Sequence, residues 1–278
     1  FVTDIGLLKT DLSLTQNEDH SDVSYQGEIH AQRFDIGKFL QLEDYLGELD
    51  LDAVVTGTGI TGETVDMNIS GAIDSLEFMQ NSFNQVEISG DIADRRFNGH
   101  LEVKDDLIDL IFDGMVDFRS RKPVFDFTAD VQDADLFKLN MLDRDSVSML
   151  SAMLNVNFIG FEIEDIEGRI RIDSLHYTEG EKEWAMDHLA LISLKDTGYH
   201  RRVLFTSDFM DAKVEGNFTT PELLLAADSA LERIFSPWSF MPDPDPDIRP
   251  QDIEFAFESK ETEDLLEIFT PGLYLERK

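Results

Sequence analysis

Alternation with period two governs most of this chain. In "GELDLDAVV" (47–55), Gly47, Leu49, Leu51, Ala53 and Val55 fall on one side and Glu48, Asp50 and Asp52 on the other. "VDMNISGAI" (65–73) sets Val65, Met67, Ile69, Gly71 and Ile73 against Asp66, Asn68 and Ser70. The same pattern runs through "VEISGDI" (86–92), "FNGHLEV" (97–103), "IDLIFDGMVDF" (108–118) and "VFDFTADV" (124–131). Each stretch predicts a strand with one apolar and one acidic face, as in an antiparallel sheet covered on one side. Gly27, Gly47, Gly71, Gly90, Gly99 and Gly114 lie on the apolar side of their strands and not in the turns. Glycine weakens a strand interior, so it marks a bend, a bulge or a close backbone approach. Repeated on strand after strand, it predicts a sheet bent sharply around a narrow apolar interior. The alternative is a sandwich whose glycines fill tight core positions.

Helical patterns interrupt the strands at "FDIGKFLQLEDYLG" (34–47), at "DADLFKLNMLDRDSVSMLSAML" (133–154) and at "TPELLLAADSALERIF" (220–235). The last opens on Thr-Pro-Glu, a good helix start. "PDPDPDIRP" (242–250) reads as an extended linker, since its prolines forbid helix and ladder alike. "IEFAFES" then predicts a further strand, followed by a short helix near 261–269. An internal echo, "IDSLEF" (73–78) and "IDSLHY" (172–177), points to a unit of roughly one hundred residues used more than once. The expected organisation is a first β unit over 1–132, a helix-led second unit over 133–241 ending in a helix, the linker 242–250, and the start of another unit at 251–278.

Charge narrows the function classes. With 58 Asp and Glu against 23 Lys and Arg, the formal net charge is -35. That field repels phosphate backbones, so nucleic acid is not an expected partner. Any lipid contact has to run through apolar surface and not through the acidic outer face. There is no cysteine, hence no disulfide, thiolate metal site or cysteine nucleophile. No apolar run approaches the ~18 residues of a membrane span. The chain starts and stops in mid-pattern, as an internal segment of a longer protein would.

Gly57, Gly59 and Gly62 spell a G-x-G-x-x-G after a strand-like run. A dinucleotide loop needs a helix to follow, because the helix N-terminus holds the pyrophosphate. Here "ETVDMNISGAI" continues with period two, so the glycines read as the turn between two antiparallel strands. His20, His30, His100, His176, His188 and His200 show no metal-ligand spacing, and no nucleophile elbow or P-loop is present. Carboxylates are too numerous for any one pair to point to acid and base catalysis. No enzyme activity, cofactor or metal is expected.

The order of motifs resembles the TamB and AsmA-like family of bacterial envelope proteins. The residues that carry it are "YQGEIHAQRFDIGKFLQ", "GELDLDAVVTGTGITGETVDMNISGAIDSLEFMQNSFNQVEISGDI", "FNGHLEVKDDLIDLIFDGMVDF" and "PVFDFTADVQDADLFKL". "NVNFIGFEIEDIEGRIRIDSLHY" and "SDFMDAKVEGNFT" are similar to Bacteroidota members of the TamB branch. The resemblance implies a mainly β fold, an elongated antiparallel sheet curled into a taco or groove with an apolar interior. It implies the periplasm, with an inner-membrane anchor in the full-length protein that this segment lacks. It implies phospholipid transfer between inner and outer membranes, or help in outer-membrane protein assembly. A contact with an outer-membrane β-barrel partner would run through parts of the full-length chain absent here.

On this reading phospholipid acyl chains are the partner, and the inward residues act as lining. They are Leu49, Leu51, Val65, Met67, Ile69, Val86, Ile88, Leu101, Val103, Ile108, Leu110, Phe112, Phe125 and Phe127, joined in the later unit by Ile170, Ile172, Leu204 and Val214. A scaffold that lends its groove or open edge to an unfolded barrel protein fits the same pattern. An extracellular glycan- or protein-binding sandwich fits it less well, because only two Trp and five Tyr stand against 21 Phe.

Overall fold

The computed structural model describes residues 2–3, 5–16, 23–61, 63–140, 148–160, 167–180, 182–195, 200–218 and 253–260. These form β1 (Val2–Thr3), β2 (Gly6–Gln16), β3 (Val23–Asp35), α1 (Ile36–Leu40), β4 (Leu46–Thr58), β5 (Asp66–Phe78), β6 (Asn81–Ala93) and β7 (Arg96–Lys104). There follow β8 (Ile108–Asp117), β9 (Val124–Asp135), β10 (Ser148–Ile159), β11 (Glu167–Glu179), β12 (Lys182–Lys195), β13 (His200–Ser207), β14 (Met210–Asn217) and β15 (Ile253–Ser259). Strand order is chain order, and β1 and β15 stand at opposite ends of it. The fold is therefore a mainly β, open antiparallel meander. None of its described helices is long and apolar enough to cross a membrane.

Each predicted strand from 47 to 131 matches one of β4 to β9, with Val65 just before β5 and Phe118 just after β8, and "IEFAFES" is β15. The helix predicted over 34–47 is much shorter. The Asp35 side chain caps α1 by accepting a hydrogen bond from Lys38 N at 2.9 Å, and Gln41 ends it with φ 58. Of the helix predicted over 133–154, the described residues 133–140 and 148–154 form none, and 141–147 lie outside the described residues. Residues 133–135 finish β9 and 148–154 open β10. Met149, Leu150, Ala152, Met153 and Leu154 place apolar groups on both strand parities, which mimics a helical stripe. Sheet pairing decides, leaving Ser148, Ala152 and Val156 buried on one face and Met153 exposed on the other. The segments 220–235, 242–250 and 261–269 lie outside the described residues, as does Gly62.

Contacts divide the chain into two compact units, Phe1–Asn157 with Ser174–Ala185, and Phe158–Asp173 with Met186–Lys278. Within the first unit the sheet coils strongly. The Tyr45 ring, at the start of β4, stacks on Phe118, at the end of β8, with centroids 5.7 Å apart. In a flat meander four strands and a strand's length would hold them about 40 Å apart. Only a sheet that twists and curls upon itself brings these corners together.

Candidate functional site

The register turns the apolar side of the first unit into continuous cross-strand rows. One row is Ala31–Leu51–Ile73–Val86–Val103–Leu110–Val131, one residue from each of β3 to β9. The next is Ile29–Ala53–Gly71–Ile88–Leu101–Phe112–Ala129. Beyond it come Gly27–Val55–Ile69–Gly90–Gly99–Gly114–Phe127 and Tyr25–Gly57–Met67–Ile92–Phe97–Val116–Phe125. No charged residue interrupts any row. At strand spacing the face extends about 29 Å across the seven strands.

Gly90, Gly99 and Gly114 are neighbours in one row, which their sequence positions do not disclose. A Cβ on Gly99 would lie 2.6 Å from Gly90 Cα, and one on Gly114, whose φ is +143, would lie 2.5 Å from Phe127 Cα. Backbones approach there more closely than any side chain permits, on the inner side of the bend. Phe97, Phe112 and Phe127 fill the notch, with centroids 6.2 Å and 4.9 Å apart along the series.

Twelve of the fourteen lining residues proposed in this unit stand directly on one face in these rows or in the row Phe34–Leu49–Leu76–Phe83. Val65 is buried just before β5, and Ile108 pairs with Ala134 and packs on the same cluster. Sequence periodicity alone missed Phe34, Leu76 and Phe83. They sit beyond bulges at Arg33 (φ 45) and at Asp74 opposite Gln85 (φ 56), where the inward phase slips by one residue. The broken alternation around those positions was the available signal.

From β4 to β6 the face is filled by its own side chains: Val86 is 1% exposed, Val55 2% and Ile69 3%. Tyr25, Leu49, Leu51, Ile73 and Val103 belong to the same buried cluster. Leu101, Ile108, Leu110, Phe125 and Phe127 are only half-buried.

In the second unit, rows run Leu191–Phe205–Ala212–Phe257 and Ser193–Val203–Val214–Phe255 on one face. The opposite face carries Ile192–Leu204–Lys213–Ala256 and Leu194–Arg202–Glu215–Glu254. Leu204 and Val214, both expected as lining, therefore point to opposite sides. Val214 shares its side with buried Arg201, whose guanidinium lies 5.9 Å from the Phe218 ring centroid. Leu204 stands on the charged side, where Arg202 and Lys213 pair with Glu215 at 2.6 Å and 2.5 Å. Those two donors hold the Glu215 carboxyl at a pKa of about 2. Val203 and Phe205 take the inward positions assigned to Leu204. Ile170 and Ile172 share one face of β11, half-buried.

The outer face is acidic and hydrogen-bonded across strands, with Asp113 beside His100 at 2.8 Å and Asp91 accepting from Asn68 at 3.2 Å. Among the described residues no three His, Cys, Asp or Glu side chains converge as a metal site. Gly57 and Gly59 are followed by β5 and not by a helix, so no phosphate-binding helix end forms there. A cleft of about 480 Å³ opens beside Glu43, Asp44, Tyr45 and Glu77, at the strand ends next to Leu49, Leu76 and Phe83. No known protein-family pattern, curated protein or solved structure matches this chain.

Proposed function

We propose that this chain is a segment of a periplasmic lipid-transfer protein whose apolar face shields phospholipid acyl chains between the inner and outer membranes. The observation that carries the reading is the set of uninterrupted cross-strand apolar rows on one face of an open, coiled sheet. The resemblance to TamB and AsmA-like proteins supports it. Each covered methylene contributes roughly 0.8 kcal/mol, so a chain with about ten covered gains on the order of 8 kcal/mol. Rows of similar composition from strand to strand make that gain nearly even along the face, which suits movement better than one deep site. The half-buried positions Leu101, Ile108, Leu110, Phe125 and Phe127 are where an acyl chain enters; further in, it must displace the buried cluster.

That closed cluster favours a second reading, a periplasmic scaffold for outer-membrane protein assembly. In this role β15, last in the strand order and carrying Phe257 at 66% exposure, offers its edge to an unfolded client strand. Native mass spectrometry of the chain, purified from bacteria without detergent, decides between them. Adducts that fragment to phospholipid are expected. A clean protein mass, unchanged after incubation with phospholipid, would overturn lipid transfer and leave the scaffold.

A further inference from the structure

We propose that residues 36–45, between β3 and β4, form a strap across the apolar face of the first unit, which lifts to admit a phospholipid acyl chain to the buried cluster and closes once the chain has left. The occupant rests on the lipid-transfer reading; the strap itself is argued from its own contacts.

Both ends of the segment are rooted in the sheet. Asp35 N donates to Ile5 O at 2.7 Å, and the Asp35 carboxylate accepts from Lys38 N at 2.9 Å and pairs with Lys38 Nζ at 2.7 Å. At the other end Leu46 N donates to Leu42 O at 2.9 Å, and Met79 N to Tyr45 O at 2.8 Å. Between these roots the apolar side chains meet the inner face. Ile36 packs on the buried cluster, and Leu40 is 9% exposed. The Phe39 ring centroid lies 5.6 Å from that of Phe34, which stands in the inner row Phe34–Leu49–Leu76–Phe83.

Two further contacts carry the segment to the opposite end of the strands. Gln41 precedes β4 and Glu63 follows it, yet Gln41 Nε2 donates to Glu63 Oε1 at 3.2 Å. Tyr45 stacks on Phe118, beyond the far end of β8, with centroids 5.7 Å apart. A segment that touches both ends of the strands while packing on their apolar side spans that side. Its middle is lightly fastened. Gln41 and Glu63 are both exposed, so water competes for their hydrogen bond. With five residues, α1 is too short to persist as a helix without its packing. Gln41 also holds a left-handed φ of 58, a strained backbone that lifting relieves. Lifting the segment breaks no ladder pairing of β3 with β4 or of β4 with β5.

Because the chain has no cysteine, the variant Q41C/E63C carries its only thiols. A bismaleimide with a reducible spacer joins them and holds the strap down. N68C/D91C, joined in the same way across β5 and β6 on the outer face, is the control. Each is titrated with dihexanoylphosphatidylcholine before joining, after it, and after reduction of the spacer. Joined Q41C/E63C should bind at least about tenfold more weakly and recover on reduction, since apparent affinity scales with the fraction of open molecules. The control should keep its affinity throughout. Equal affinity of Q41C/E63C before and after joining overturns the strap and leaves lipid transfer standing. If the wild type binds no lipid, lipid transfer fails, and amide hydrogen exchange judges the strap by itself. Leu42 and Leu46 amides should exchange at least about tenfold faster than the β4–β5 ladder, and slow to its rate once joined. Exchange as slow as the ladder before joining overturns the strap.

Discussion

Gly114 shows how a single missing side chain shapes the sheet. Its φ of +143 and the closeness of Phe127 Cα leave no room for a Cβ. Gly114→Ala should cost about 2–4 kcal/mol by forcing two strands apart in a filled row. Gly180, which also has positive φ but meets nothing within 4 Å, is the control, and Gly180→Asn should cost under about 1 kcal/mol. Urea unfolding measures both; equal losses would refute the close-approach account. Glu215 gives a second residue-level expectation. Hydrogen bonds from Arg202 and then Lys213 lower its pKa from 4.5 to about 2. Its contribution to stability is therefore fully present above about pH 4.5 and disappears as pH falls toward about 2. The variant Glu215→Gln should flatten that part of the acid unfolding curve. A curve that keeps the wild-type slope would remove Glu215 from the account.

Strands are where sequence and register part company. In β13 and β14 nothing local reveals which parity faces in, because Val203, Leu204 and Phe205 are consecutive and apolar. The ladder settles it by pairing Val203 with Val214 and Leu204 with Lys213. Leu204→Asp should then be tolerated within about 1 kcal/mol, whereas Val214→Asp sets a carboxylate on a half-buried position between Val203 and Phe255 and should cost more, about 1–2 kcal/mol. Thermal unfolding of the two variants measures this, and a greater loss for Leu204→Asp would reverse the assignment of faces. Bulges act at the same scale. Arg33 and Gln85 each take one residue out of phase, and the inner face continues across them through Phe34 and Phe83.

At the scale of the whole molecule, a net charge of -35 sits on a fold whose first unit has its apolar residues on the inside of a coiled sheet. Acidic outer faces keep such a sheet soluble and discourage pairing along its edges, at the expense of self-repulsion in the folded state. Raising salt from about 10 mM to about 300 mM at neutral pH should therefore raise the midpoint of thermal unfolding by several degrees. A midpoint that falls or stays constant would mean local ion pairs outweigh the net field.

By itself the sequence determined the antiparallel strands, their acidic and apolar sides, and twelve of the residues that stand in the inward rows of the first unit, because side-chain direction in a strand alternates with a fixed period. It also ruled out a helix after Gly59 for the same reason. Tertiary structure alone decided what depends on pairing between distant strands. It aligned Gly90, Gly99 and Gly114 into one row, sent Leu204 and Val214 to opposite faces, and made residues 148–154 a strand where their own pattern allowed a helix. Register is a long-range property, set by which hydrogen-bonded neighbour each residue meets and by bulges that slip the phase. No local periodicity encodes it.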